Sequence, residues 1–333
     1  MIAVFASCSK DGERITEDPA GKVRLKVSLR SGNTRVLGDT ANDLQVRTAQ
    51  VFVYNSRNVL EDYSGVVSDT DDIELAVIPG QKTLFAVVNA PQITPPDSLA
   101  ILRRTRSLLK DNQLSRLVMS GEVTQTVMAD AEVTIPVSHI CCKVIVNKIT
   151  RDFSDGDLVE VPMSITRLSM SNVAGDCDYA CSGSNPTLWI NQAGVVDTNY
   201  ERADLLVEDI ASAPLANLAS YEQTHVFYVY PNPVTADSYS NTFSPRHTRL
   251  MITADYNGHA CYYPVTLPGS SYGDGHAQTL ERNKVYCISE LTLTKPGSFN
   301  PDNPGNMVNS EVGFTCTVEV VDWDDYTAYN EIY

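Results

Sequence analysis

No stretch of about 20 consecutive apolar residues occurs in this chain, which is the length a helix needs to cross a bilayer core, so no transmembrane helix is expected. Basic residues are in deficit: 25 Lys and Arg stand against 41 Asp and Glu, a formal charge of −16. Nucleic-acid binding depends on neutralising phosphates with Lys and Arg, so no nucleic acid is expected among the partners. The same charge makes copies of the chain repel one another except where docking is specific. Histidine is scarce, five in 333 residues, with no H-E-x-x-H and no paired ligand spacing, so neither a metal nor a cofactor is expected. Asp69-Thr70-Asp71-Asp72 is acidic enough to attract calcium but lacks an EF-hand register and reads as a solvated turn.

What the chain does have is apolar residues (43%) arranged with a period of two, and a length that suggests about two domains. Val23, Leu25, Val27 and Leu29 alternate with Arg24, Lys26, Ser28 and Arg30, which places one face in a core and the other in water. Further strand runs cover 49–54, 73–77, 84–88, 117–119, 131–135, 140–146, 226–230, 249–256, 260–263, 284–288 and 291–293. Asn257-Gly258 between two of them is the strongest short hairpin signal. One helix is expected, with Pro95-Pro96-Asp97-Ser98 as its start and Leu99, Leu102, Leu108 and Leu109 as its apolar stripe. Its basic run, Arg103-Arg104-Thr105-Arg106, reads as a solvated face. Near the end, the Pro-rich linker Lys295–Asn306 leads into a last strand in which Val312, Phe314, Cys316, Val318 and Val320 alternate with polar residues. The fold class is mostly β: two β-sandwich domains with few short helices, divided near residue 138.

The first residues, Phe5-Ala6-Ser7-Cys8 after an apolar tetrapeptide and before Ser9-Lys10-Asp11-Gly12-Glu13, resemble a bacterial lipoprotein signal ending at an acylated Cys8. The charged start of such a signal is missing, so it is read as truncated. Seven other cysteines remain, an odd number. Cys141, Cys261, Cys287 and Cys316 lie in strand runs and read as small buried apolar groups, while Cys177 and Cys181, which could close a small loop or hold metal, have no second ligand pair nearby and are set aside. Gly269-Ser270-Ser271-Tyr272-Gly273, followed by Asp274 and His276, matches G-x-S-x-G. A nucleophile elbow needs a strand before the serine and a helix after it, but here Gly275-His276-Ala277-Gln278 leads into another strand, so a glycine-rich hairpin loop is the reading and no enzyme is expected.

Ser31-Gly32-Asn33-Thr34-Arg35-Val36-Leu37-Gly38-Asp39 resembles the maturation site of the Bacteroidales fimbrillin family, with Arg35 in the place of the arginine after which a trypsin-like protease cuts. Leu84–Ala90, Glu281-Arg282-Asn283-Lys284-Val285-Tyr286, Pro296–Pro304 and Val320-Val321-Asp322-Trp323 are similar to further parts of that family, in the same order along nearly the whole chain. The resemblance implies transthyretin-like β-sandwiches and a structural pilus subunit. Residues 1–8 are then the signal, 9–35 a propeptide with a removable strand, 36–138 the N-terminal sandwich, and 139–333 the C-terminal sandwich with the linker and a donor strand. The implied partners are outer-membrane lipid through Cys8 acylation, a maturation protease, and other copies of the chain or related pilins. Cleavage between Arg35 and Val36 would free the strand carrying Val23, Leu25, Val27 and Leu29. The groove it leaves would accept Val312, Phe314, Cys316, Val318 and Val320 of another copy by strand addition, a heterologous contact that repeats into an open filament. The expected location is the cell surface, first as an outer-membrane-anchored precursor and then as an extracellular fimbria supporting adhesion or biofilm formation. A tip or anchor subunit, or a monomeric surface lipoprotein binding glycan or host protein, are the alternatives.

Overall fold

In the computed structural model, residues 21–31, 45–68, 73–197, 200–234, 246–267, 279–301, 313–323 and 325 are described. Their architecture is mostly β. The alternating run near the start forms β1 (Val23–Ser31), and it enters a seven-stranded sheet. The other members are β2 (Ala49–Asn55), β3 (Leu60–Tyr63), β4 (Ile73–Val77), β5 (Gly80–Val88), β7 (Met119–Val127) and β8 (Ala131–His139), in the spatial order β3-β2-β5-β7-β8-β1-β4. β7 and β8 are paired only at Met119–His139 and Ser120–Ser138, after which they part. The sheet therefore folds at this corner into two layers. Leu25, Val27, Leu75, Val133 and Ile135 from one layer meet Val51, Val53, Leu84 and Ala86 from the other in one buried cluster. Gly121 makes the corner possible: a Cβ there would lie 1.9 Å from the Pro136 carbonyl oxygen, a distance no side chain tolerates.

β2 and β5 are buried on both faces, and this is why their sequences read as continuous apolar runs and not as alternations. Phe52, Tyr54, Phe85 and Val87 point away from the first cluster into a second, which runs on through the C-terminal half. The helix α1 covers part of that face but is shorter than its apolar stripe suggests. It spans Leu99–Arg104, capped by the Ser98 hydroxyl accepting from the Ala100 amide. Thr105 is extended, and Arg106–Leu108 form β6, paired with β13 (Asp176–Asp178). The basic run is thereby divided. Arg103 pairs with Glu122 on β7, and Arg106 reaches the buried Asp176 carboxylate at 2.5 Å instead of facing water. That contact with a distant part of the chain ends the helix, which local periodicity does not reveal.

The C-terminal half holds β9 (Cys142–Val146), β17 (His225–Val229), β20 (Lys284–Ile288) and β23 (Glu319–Asp322) in the order β17-β9-β20-β23. Next to it, β10 (Ile149–Arg151), β16 (Ser220–Tyr221), β21 (Leu291–Leu293) and β22 (Phe314–Cys316) repeat the pattern as β16-β10-β21-β22. The opposing sheet is β15-β11-β18-β19, from β11 (Met163–Ser171), β15 (Val207–Asp209), β18 (Arg249–Tyr256) and β19 (His259–Thr266). The short β12 (Val173–Ala174) pairs with β14 (Trp189–Ile190), and one helical turn, α2, spans Gly156–Val159. Asn257 and Gly258 join β18 to β19 with φ of 53° and 82°, the left-handed pair that a two-residue hairpin requires. Cys141, Cys142, Cys261 and Cys287 are buried and unbridged, as small apolar groups are; the Sγ atoms of Cys177 and Cys181 lie 3.6 Å apart.

Candidate assembly strands

β1 sits inside its sheet. It runs antiparallel to β4 from Val23–Val77 to Val27–Ile73, and parallel to β8 from Leu25–Ala131 to Ser31–Val137. Leu25 and Val27 are fully buried, while Val23 and Leu29 are half-buried against the same cluster. Burying the first two stabilises the docked strand by about 3–6 kcal/mol, at about 1.5–3 per side chain. The outward residues add little by comparison. Arg24 and Glu74 approach to 3.4 Å, but both are more than half exposed, and such pairs contribute about 0–1 kcal/mol. The Arg24 amide donates to Asp130, and the Ser28 and Thr134 hydroxyls meet at 2.9 Å. Arg30 lies within β1, and Arg47 stands two residues before β2 with its amide donating to Asn89 Oδ1. Cys8, Arg35, Val36 and Val312 lie outside the described residues, as do Asp69 to Asp72 and the Gly269–Gly273 motif with Asp274 and His276.

The last strand run is not continuous. Phe314–Cys316 pair with β21 as β22, and Glu319–Asp322 pair with β20 as β23. Cys316 faces Leu291 and Glu319 faces Cys287, so two residues of the terminal segment stand opposite three of its partner. This one-residue offset shifts which side chains point inward. Phe314 is buried and Cys316 and Val318 half-buried, but the inward face then passes to Val321 and Trp323, and Val320 is 40% exposed. Val320 is thus not on the buried face its alternation predicts. Burial also pushes the Cys316 thiol up to about 11.

Trp323 closes the segment. Fully buried, it stacks on His139 at 4.1 Å between ring centroids and on Tyr228 at 6.0 Å, with the Lys143 ammonium 5.6 Å from its ring. Its amide donates to the Asn283 carbonyl. Next to Asn283, the Arg282 guanidinium lies within 3.3 Å of five acceptors: the Ser120, Ser138 and His139 carbonyls and the Ser120 and Ser138 hydroxyls. It therefore ties the corner where β7 and β8 part to the C-terminal sheet. Neither role is apparent from sequence pattern, although Arg282 and Trp323 both lie in segments that the family resemblance singles out.

Residues 22–167 match the family model described as major fimbrial subunit protein (FimA), so the resemblance read from the sequence holds over that span. Solved structures share the fold across nearly the whole chain. A candidate cell adhesion protein from Bacteroides eggerthii is 15% identical with a TM-score of 0.65, covering 92% of this chain and 97% of that one. A fimbrilin from Porphyromonas gingivalis is 17% identical with a TM-score of 0.59, covering 90% and 97%. The tip fimbrial protein Mfa3 of the same organism, with a C-terminal truncation, is 12% identical with a TM-score of 0.54, covering 91% and 100%. No curated protein sequence matches the chain.

Proposed function

We propose that this chain is a fimbrial subunit of the cell surface, a structural protein and not an enzyme, which polymerises by exchanging its first strand for a strand of another copy. The observation that carries this reading is the placement of β1. It fills a slot between β8 and β4, and the rest of the chain reaches it only through residues 32–44, the segment that contains Arg35. A cut between Arg35 and Val36 leaves β1 attached by non-covalent contacts alone. Once it departs, β8 and β4 each present an unpaired backbone edge, a template for a strand from elsewhere. In the precursor, acylation at Cys8 holds the chain at the outer membrane until a trypsin-like protease releases it into the fimbria.

The incoming strand is the terminal segment from residue 312 to 320, with Phe314, Cys316 and Val318 as its inward residues. Among the described residues, its part from 313 onward lies at a sheet edge with a ladder on one side, so it can leave without opening a sheet interior. Its register in the slot differs from its register at home, because the offset opposite Ser289–Glu290 has no counterpart between β8 and β4. Limited trypsin treatment tests the reading. One early cut after Arg35, followed by a ladder of multimers that resist dissociation, is expected, and Arg35→Ala should give neither. A cut chain that stays monomeric at high concentration would sink the exchange mechanism.

A further inference from the structure

Removing β1 raises a question about β4, because β1 is the only strand paired with β4 among the described residues. Its inward side chains Ile73, Leu75 and Val77 stay in the core, but nothing in a ladder then fixes its distance from β8. Apart from the two-residue link Ile78–Pro79 that joins β4 to β5, one further tie is seen among the described residues. Ala76, opposite Arg24 of β1, donates its amide outward to Asp62 Oδ2 on β3 at 2.8 Å. No ladder joins β3 to β4 among the described residues; the carboxylate spans the gap between these two ends of the sheet.

Asp62 is aimed there by a bulge. β3 pairs with β2 as Tyr63–Phe52 and Asp62–Val53, then slips so that Leu60 faces Tyr54, leaving Glu61 as the extra residue. Glu61 turns to Lys82 on β5, whose ammonium reaches the two carboxylate oxygens at 3.0 and 2.8 Å, with the Lys82 side chain 3% exposed and that of Glu61 11%. This buried pair pins the bulge. Asp62 then uses both oxygens, Oδ1 accepting from the Tyr63 amide at 2.9 Å and Oδ2 from Ala76.

Building on the strand-exchange reading above, we infer that Asp62 is a positioning residue of the acceptor slot: it holds β4 at strand-pair distance while β1 is absent and the slot awaits its new strand. A slot already at the right width captures a strand without first being reopened, and preorganisation of this kind appears directly in affinity. In the uncut chain the same contact is redundant, because β1 fixes β4 by five backbone pairings.

The test uses the full chain, cut after Arg35 with trypsin, and a fluorescent peptide of residues 22–31 as the probe for the slot. Asp62→Asn keeps the shape but can accept only one of the two amides well. Uncut Asp62→Asn should melt within a few degrees of the unaltered protein. After the cut, it should capture the peptide about tenfold or more weakly, the scale of one lost charge-assisted hydrogen bond. Hydrogen exchange at the Ala76 amide should rise much further in the cut variant than in the uncut one. Equal capture by both cut proteins overturns the role of Asp62 and leaves strand exchange standing. Capture by neither overturns strand exchange, and the role of Asp62 with it. A large loss of stability in the uncut variant makes Asp62 an ordinary structural residue and also overturns the inference.

Discussion

β1 and the terminal segment are both amphipathic, both lie near an end of the chain, and both bury apolar side chains against a sandwich core, yet they are held in opposite ways. β1 has a ladder on each side, five pairings with β4 and seven with β8, and its inward residues keep strict alternation. Among the described residues, the terminal segment is paired along one edge only, three pairings with β21 and four with β20, and its inward face changes phase midway. Beyond the ladder, it is held by a buried ring near each end, Phe314 and Trp323. A strand with two ladders resists leaving along its whole length, so its release calls for an outside event such as a cut. A strand with a ladder on one edge only can peel from its free side. Under the proposed strand exchange, the difference would set the order of events: the slot opens by chemistry, and the donor comes free by local opening.

The largest effect is expected at Trp323. Trp323→Ala removes a fully buried indole and should lower stability by about 3–5 kcal/mol in urea unfolding. A loss below about 1 kcal/mol would mean that the ladder and Phe314, and not the indole, hold the segment. The thiol of Cys316 gives a kinetic view of the same event. While the segment is docked, its raised value of about 11 keeps it protonated at pH 8; undocked, it returns towards about 8.5, and alkylation there should quicken on the order of a hundredfold. Labelling by iodoacetamide, read by mass spectrometry, should therefore speed up at Cys316 in Trp323→Ala while the buried Cys141 and Cys142 stay slow. Uniform labelling of all three would indicate global unfolding instead of local peeling. Val320→Ala should show the smallest effect, within about 0.5 kcal/mol in the monomer, because the side chain is exposed at home. If the same change makes multimers dissociate more readily, Val320 turns inward only in the partner's slot; if it leaves multimers unchanged, the donor register differs from simple alternation.

Much of this was legible in the sequence where local pattern and tertiary structure agree. The alternation from Val23 to Leu29 gave β1 and its buried face, and Asn257-Gly258 gave the β18–β19 turn. Pattern failed where a distant residue decides. The helical stripe after Ser98 ends at Arg104 because Arg106 pairs with Asp176, seventy residues further on in the chain. The alternation up to Val320 fails because its partner carries an extra residue, and a bulge on one strand cannot be read from the other. Asp62 had no signal at all: its role depends on a bulge at Glu61 and on where the two outer strands of a seven-stranded sheet meet. The resemblance to fimbrillins reached further than periodicity did, since it marked the segments holding Arg282 and Trp323 without saying what they touch.

Arg282 has a consequence for how such a molecule bears load. A guanidinium surrounded by five acceptors at a single strand corner does not loosen by degrees, because moving it far enough to lose one costs most of the others. The two halves of the chain are therefore riveted where β7 and β8 diverge. If the chain assembles by the proposed strand exchange, extension under tension would begin at the exchanged strands between subunits and leave the body of each subunit at its resting length.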